Sequence, residues 1–471
     1  MSAGIRKLLW ALRLALPKVG VGWMFALLTI DFNRVAIFEL GIAAIIVTSL
    51  LSIHYFLSPF QVITGRIADT HPILGYRRTP YLLLGSLGAS LLFVALPTVT
   101  MGMGTGNPGS FATAIGLFVL FGVFTAVIAD SYHALLAEVT TKESRSGVIA
   151  LVWIVMIMST ILAAVVMNAM RPEFTPELMQ RLYNLTPFVV VGSALLGVIG
   201  IEKRMSRDEL EAARVKARSL APPGNPLASA VQLLRKNPST RAFFLFIAVA
   251  IFSIFLQENI IEVFGAEVFG MGIRETTRFQ PIWGGGILLG MALSGILGPI
   301  LKVSRKRMVL VGLIGASAGF FVLGLVAGFG YRELLTPTLF GMGFFTGIFN
   351  VGALALMMEM TVEGATGMYM GLWGVAQAFG LALSSLGSGA IHTALIGSGL
   401  LAPQIVYPGI FFLEAAGLLL AAYILYPVSL SAFAASASRS LFEGSGTVGA
   451  PAVAGSAPAS AAARVSTRID G

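Results

Sequence analysis

The chain contains no cysteine, and only 11% of its 471 residues are charged. The first absence excludes disulfides, thiolate-bound zinc and thiol nucleophiles. The second excludes an ordinary soluble protein of this length, in which roughly a quarter of the residues carry charge. Catalytic signatures are missing too. There is no Walker A loop, no HExxH, no GxGxxG placed after a strand and no credible hydrolase triad. An enzyme or ATPase is therefore not expected, and the histidines form no two-His cluster, so no metal site is expected either.

What remains is apolar. Hydrophobic residues make up 56% of the chain, mean hydropathy is +0.87, and the 54 glycines suit close helix packing in lipid. Runs of about 20 apolar residues can each cross a bilayer. They fall at 19–37, 42–64, 79–99, 111–137, 147–169, 185–201, 242–263, 281–301, 308–329, 336–358, 368–393 and 405–426. Twelve spans place both termini on one side. The segments on that side hold 25 of the 31 Lys and Arg, against 6 in the opposite loops, so the termini are expected in the cytoplasm. The tenth-to-eleventh loop is the weak point, with Glu359 and Glu363 and no base. The net charge of +9 thus points to anionic lipid, not to nucleic acid.

The longest polar break, 202–241, is a basic linker between six spans (19–201) and six more (242–426). That plan predicts an all-α membrane protein of two six-helix bundles, the major facilitator fold. Residues 1–18 read as a basic amphipathic helix on the cytoplasmic surface. Residues 427–471, rich in Ala, Ser, Gly and Pro, read as a disordered cytoplasmic tail.

Charge inside apolar runs usually has a partner or a job. The first span ends with Asp31, Asn33, Arg34 and Glu39, and the seventh with Gln257, Glu258, Asn259 and Glu262. In a two-repeat protein these ends are equivalent places, able to bind a polar head or carry protons, or simply hydrated. Glu258 and Glu262 share a helical face and repel unless a cation or donor intervenes. Arg34 is the expected partner of Glu262, with Arg274 and Arg278 on the following outer loop as competitors for that role. Asp130 and His133 share a face near the inner end of the fourth span, and Glu414 stands in an otherwise apolar twelfth. Trp373 and Gln377, beside Gly371 and Gly374, form an aromatic–amide pair suited either to a flat ligand or to plain helix packing. Between spans two and three, Gly65 and Asp69 precede Gly75, Arg77 and Arg78. This resembles the facilitator-superfamily loop motif and is a candidate conformational latch. The matching loop of the second half carries Lys302 where the Asp would stand.

Four stretches together resemble the PucC-type family, the bacteriochlorophyll-delivery branch of the major facilitator superfamily. They are NRVAIFEL (33–40), GYRRTPY (75–81), the seventh-span stretch with ETTR (275–278), and LWGVAQA (372–378). The resemblance runs from about Lys18 to Pro427. One departure is that Ile261-Glu262-Val263 replaces the family's Leu-Glu-Pro, which weakens the case for a kink there. The resemblance implies a photosynthetic, intracytoplasmic inner membrane and a role in assembling light-harvesting complexes. It implies antenna polypeptides as partners, pigment-synthesis enzymes beside them, and bacteriochlorophyll or a precursor as a transient ligand rather than a tightly bound cofactor. The alternative kept open is an ion-coupled facilitator of a small amphipathic solute. His54, His71, His133 and His392 each read better as hydrogen-bonded helix or loop residues than as ligands, although neutral imidazole can bind the magnesium of a chlorin.

Overall fold

A computed structural model describes residues 3–429 and 433, apart from 59, 61–63, 65–66, 69–70, 171–172, 207, 212–233, 236, 301 and 362–365. Gly65, Asp69 and Glu363, most of the linker, and nearly all of the expected tail lie outside the described residues. Among the described residues the fold is helical, without strands. Eleven helices are long and apolar enough to cross a membrane, and a shorter apolar helix, Ala44–Phe56, takes the place of the second span.

In chain order, α1 (Ala3–Ala15) precedes α2 (Pro17–Glu39), α3 (Ala44–Phe56), α4 (Thr79–Gly104), α5 (Pro108–Val139) and α6 (Lys142–Met170). The sixth span is two pieces, α7 (Pro176–Asn184) and α8 (Thr186–Val198). The seventh is α9 (Pro238–Phe255) and α10 (Ile261–Phe269), followed by the single turn α11 (Ile273–Thr276). The remaining spans are α12 (Phe279–Ile300), α13 (Arg305–Phe329), α14 (Leu335–Glu359), α15 (Thr366–His392) and α16 (Pro403–Leu425).

Helix starts follow the local sequence. Asn107, Thr175, Asn237 and Ser304 each accept a backbone N–H from the first turn they precede, which satisfies donors the helix itself cannot pair. Proline follows the cap in the first three, where its missing N–H is harmless.

The second half forms one continuous apolar core from Phe243 to Phe433. The first half holds two, one around Phe32 and Phe93 and one around Tyr132 near the linker. Val263 of α10 and Ile273 of α11 join the former, so the halves meet at the seventh span. Further contacts between the halves lie on the same face, far from the linker. Ser385 Oγ donates to the Thr48 carbonyl at 3.0 Å, and the Ile45 N–H donates to Thr393 Oγ1 at 2.9 Å. Asn168 Nδ2 donates to the Arg274 carbonyl at 3.1 Å. At Gly389 a Cβ would lie 1.9 Å from Thr48 Oγ1, so only glycine permits α15 to approach α3 there. The halves are thus closed against each other on the far face.

On the linker face, α1 is anchored by Arg13, which donates to the Leu196 carbonyl at 2.9 Å and to that of Ile199. Ile5, Leu8 and Leu9 of α1 stay exposed, the pattern of a helix lying along an interface.

Candidate functional site

The seventh span is not the single helix expected from its unbroken hydrophobicity. Between α9 and α10 the backbone leaves the helical ladder at Leu256–Ile260, without a proline. The cause is competition by side chains. The Gln257 N–H donates to Glu414 Oε1 of α16 at 2.7 Å. The Asn259 carbonyl accepts from Asn33 Nδ2 of α2 at 2.9 Å, and Asn259 Nδ2 donates to Ser385 Oγ of α15 at 2.8 Å. Freed backbone groups at membrane depth are tolerated only with such partners. Glu414, wholly buried, therefore holds the break open from α16.

The equivalent helix of the first half is loosened instead. In α2 the stretches Leu27–Phe32 and Val35–Glu39 are π-helical, a winding that recurs at functional sites. It carries Asp31, Asn33 and Arg34 into the protein, all buried. The expected pairing of Arg34 with Glu262 is replaced by another. Arg34 forms an ion pair with Glu39 on its own helix, donates to the Met271 carbonyl at 3.3 Å, and lies over the Phe38 ring at 5.1 Å. The wider π turn brings Glu39, five residues on, within reach of the guanidinium. Glu262 is wholly buried beside Asn33, Arg34 and Glu258. Glu258 Oε1 accepts from Gln280 Nε2 at 3.3 Å.

The structure thus brings together Asn33, Arg34, Gln257, Glu258, Glu262 and Glu414, six of the residues expected from sequence. Trp373 is elsewhere. It is wholly buried in the second half, its indole N–H donates to the Met360 carbonyl at 3.1 Å, and Phe243 packs edge-on against it at 4.8 Å. No face of the ring is left for a flat ligand. Gln377 Nε2 contacts Met357 Sδ at 3.4 Å, away from the break. Asp130 and His133 sit at the linker end of α5, His133 exposed.

The latch candidates Arg77 and Arg78 both reach Glu138 at the end of α5, at 3.5 and 3.0 Å. Glu202, where the linker begins, accepts the N–H groups of Arg77, Arg78 and Thr79 and so caps α4. Met205 N–H donates to the carbonyl of Gly75 at 3.0 Å, whose φ of +87° favours glycine. The start of the linker thus straps this loop. In the second half Arg305 pairs with Glu359, which supplies the base missing from the tenth-to-eleventh loop.

Sequence reasoning missed Gln280, Ser385 and Thr48 as members of the node. Their signal is faint, small or uncharged polar residues such as the Thr48-Ser49 and Ser384-Ser385 pairs within apolar runs. It also missed a far-face cluster in which Glu267 accepts from Tyr407 Oη at 2.8 Å and meets His392 Nε2 at 3.1 Å.

Between α2, α3 and α5 lies a cavity of about 180 Å³, open on one side. It runs from Lys18 and Tyr132 near the linker face up to Asn259 at the helix break. Its walls are mostly apolar and include Met24, Leu51, His54, Phe121 and Ile128. Lys18 Nζ sits 5.3 Å from the centre of the Tyr132 ring at its mouth.

Among the described residues, eleven helices of membrane-spanning length and one shorter apolar helix, packed together at the first and seventh spans, make this a major-facilitator-type membrane protein. Solved structures agree. A POT family transporter in complex with a thioalcohol-conjugated peptide matches with a TM-score of 0.64 at 14% identity, over 91% of this chain and 96% of its own. The nucleoside transporter NupG matches with a TM-score of 0.66 at 13% identity, over 89% and 99%. At these identities the likeness is one of fold. The chain belongs to the PUCC family, whose sequence profile, "PUCC protein", matches residues 31–433. The "Bacteriochlorophyll synthase 44.5 kDa chain" of Rhodobacter capsulatus is 30% identical over 80% of this chain and 86% of its own. "Protein PucC" of Cereibacter sphaeroides is 28% identical over 92% and 94%.

Proposed function

We propose that this protein is an assembly factor for photosynthetic antenna complexes that hands bacteriochlorophyll to antenna polypeptides within the membrane. The observation that carries the reading is family membership over nearly the whole chain, with a relative whose name joins it to bacteriochlorophyll. Physical chemistry supports it. A chlorin with a long alkyl tail partitions into lipid, so its carrier needs an apolar recess with a polar end, and the cavity beneath the broken helix is such a recess. The word synthase in that relative's name does not assign a reaction here, because the fold is a transporter's and the node is built of helix-breaking hydrogen bonds. The site residues we assign to the handover are Asn33, Arg34, Glu39, Gln257, Glu258 and Glu262, with Asp31 and Glu414 supporting them. The loop from Gly65 to Arg78 serves as the latch.

The linker face is taken as cytoplasmic, on the bias of Lys and Arg, in an inner membrane carrying the photosynthetic apparatus. Bundles spanning 19–201 and 242–426 flank the linker, and pigment-synthesis enzymes are the natural donors on that face. Reporter fusions at Gly106 and at Pro222 are expected to report opposite sides of the membrane; the same side from both rejects this orientation. Function is tested by gentle-detergent purification of the full chain from a pigmented host. Copurifying bacteriochlorophyll and antenna polypeptide are expected. Proton-driven solute uptake by pigment-free vesicles, with neither copurifying, would establish the solute-carrier alternative instead.

A further inference from the structure

The four histidines occupy four different environments. His71 lies in the loop before α4, where its carbonyl accepts from Tyr81 Oη at 2.6 Å. His133 is on the exposed side of α5. His392 is held by Glu267 at 3.1 Å. His54, on α3, lines the cavity. Its Nδ1 is buried in the wall, which leaves Nε2 as the nitrogen toward the opening. Its ring is fixed between Tyr55 at 3.8 Å and Phe121 at 5.7 Å, centre to centre. Behind it α5 comes close, since a Cβ at Gly122 would stand 3.1 Å from the Cα of His54.

An imidazole presented to an apolar recess is a metal ligand in waiting, and the surroundings select the kind of metal. A bare divalent ion needs several ligands. Among the described residues no group of three His, Cys, Asp or Glu is placed to hold one, and the cavity is lined by no carboxylate. A metal whose equatorial positions are already filled by a macrocycle needs only one more ligand. Aromatic and aliphatic walls suit the flat apolar faces of such a ring.

We propose that His54 is the axial ligand to the central magnesium of a chlorin bound in this cavity. The inference rests on the pigment-handling reading above and gives it a residue. The cavity is smaller than the roughly 300–1,000 Å³ of pockets that enclose a whole ligand, so the macrocycle enters by part of its face. The rest of the ring and the alkyl tail then remain in the opening, among lipid. Such partial enclosure suits a pigment that has to leave again. Lys18 at the mouth is placed to meet an ester, keto or acid oxygen on the ring periphery, as a donor without an acceptor function.

The test uses the purified full chain in detergent, titrated with bacteriochlorophyll a and with its metal-free counterpart, bacteriopheophytin a. Wild type is expected to prefer the magnesium pigment by about tenfold or more, about 1.4 kcal/mol. The Qx band of bound bacteriochlorophyll should report magnesium with one axial nitrogen ligand. His54→Phe is expected to bind both pigments within about twofold of each other and to keep wild-type affinity for bacteriopheophytin, a built-in check on folding. His54→Gly should lose the preference and regain it when imidazole is added. An unchanged preference and Qx position in His54→Phe overturn the assignment while leaving pigment handling intact. Equal binding of both pigments by wild type does the same. Binding of neither pigment by monodisperse wild-type protein overturns both this inference and the pigment step of the proposed function.

Discussion

The second and fourth helices of each half are equivalent pairs, and they are built in opposite ways. In the second half α12 and α14 are locked backbone to backbone. A Cβ at Gly286 would lie 2.2 Å from the Phe340 carbonyl oxygen, and one at Gly290 2.0 Å from that of Phe344. Returning the contact, Gly343 and Gly347 would meet the carbonyls of Trp283 and Ile287 at 2.1 and 2.2 Å. In the first half α3 and α5 carry His54, Leu51, Phe121 and Ile128 at the corresponding place, and the cavity lies against them. One repeat is closed by four glycines along its seam; the other closes at Gly122 and carries large residues beside the cavity. The difference shows how a duplicated frame makes a single recess: the second half acts as a rigid wall and the first supplies the lining. In lipid, where apolar surface gains little from leaving its solvent, such close backbone contact is a main source of helix association.

The comparison breaks most visibly at Gly290. Gly290→Leu forces a side chain against the carbonyl of residue 344, a backbone atom that cannot step aside. Overpacking of this kind costs about 1–3 kcal/mol even where neighbours can yield, so thermal unfolding in detergent should show a loss at the top of that range or beyond it. Gly122→Ala meets first the Leu57 Cδ1 at 2.6 Å, the end of a flexible chain, and then the Cα of His54 at 3.1 Å, and should cost about 1 kcal/mol, less than Gly290→Leu. Equal losses from the two would show that the halves do not differ in rigidity.

Much of this frame was legible in the sequence. Hydropathy is sufficient for an all-helical protein of many spans, because a bilayer tests each segment almost independently. The polar ends of the first and seventh spans were legible for the same reason, since charge in an apolar run is rarely idle. The helix break was not. It depends on Glu414 reaching Gln257 across 157 positions of sequence, and no local propensity encodes that meeting. Trp373 stayed open between ligand and packing for the converse reason, as an aromatic residue between glycines reads alike whether it faces a ligand or a core. His54 gave no signal of its own, because only the packing of α3 against α5 turns it toward a cavity.

The break itself provides the next test. Glu414→Leu leaves the Gln257 N–H buried without its acceptor, at about 1–3 kcal/mol. Glu414→Gln keeps an acceptor oxygen and should recover most of the loss. If leucine and glutamine behave alike, the carboxylate does not hold the break. A smaller effect is expected at Arg34. Its Glu39 partner is partly exposed, so the pair sits between the buried and surface limits, and a double-mutant cycle of Arg34→Gln with Glu39→Gln should give a coupling of about 1 kcal/mol. The cycle with Glu262→Gln should give less. The reverse order would restore the pairing across the cleft that sequence alone suggested. The companion readout is antenna absorbance per unit of inserted protein in a deletion strain, which should fall for Arg34→Gln while protein abundance stays near normal.

The smallest expected effects sharpen what the halves share. In each, a base at the start of the third helix meets a glutamate at the end of the fourth: Arg78 with Glu138, and Arg305 with Glu359. Each pair ties its third helix to its fourth on the linker face. Both glutamates are partly open to solvent, and Arg305 is half exposed whereas Arg78 is only 7% exposed. Exposed ion pairs contribute about 0–1 kcal/mol, because water already solvates both charges and salt screens them. Arg305→Met should therefore change stability by less than about 0.5 kcal/mol, and the change should vanish in high salt. Arg78→Met should cost more, approaching about 1 kcal/mol, and should keep part of its effect in salt because its guanidinium is withdrawn from water. Melting curves of both variants at low and high ionic strength decide the matter. If Arg305→Met proves the more damaging and the less salt-sensitive, the second half relies on its charges more than its glycines, and the contrast between a rigid wall and an open lining has to be given up.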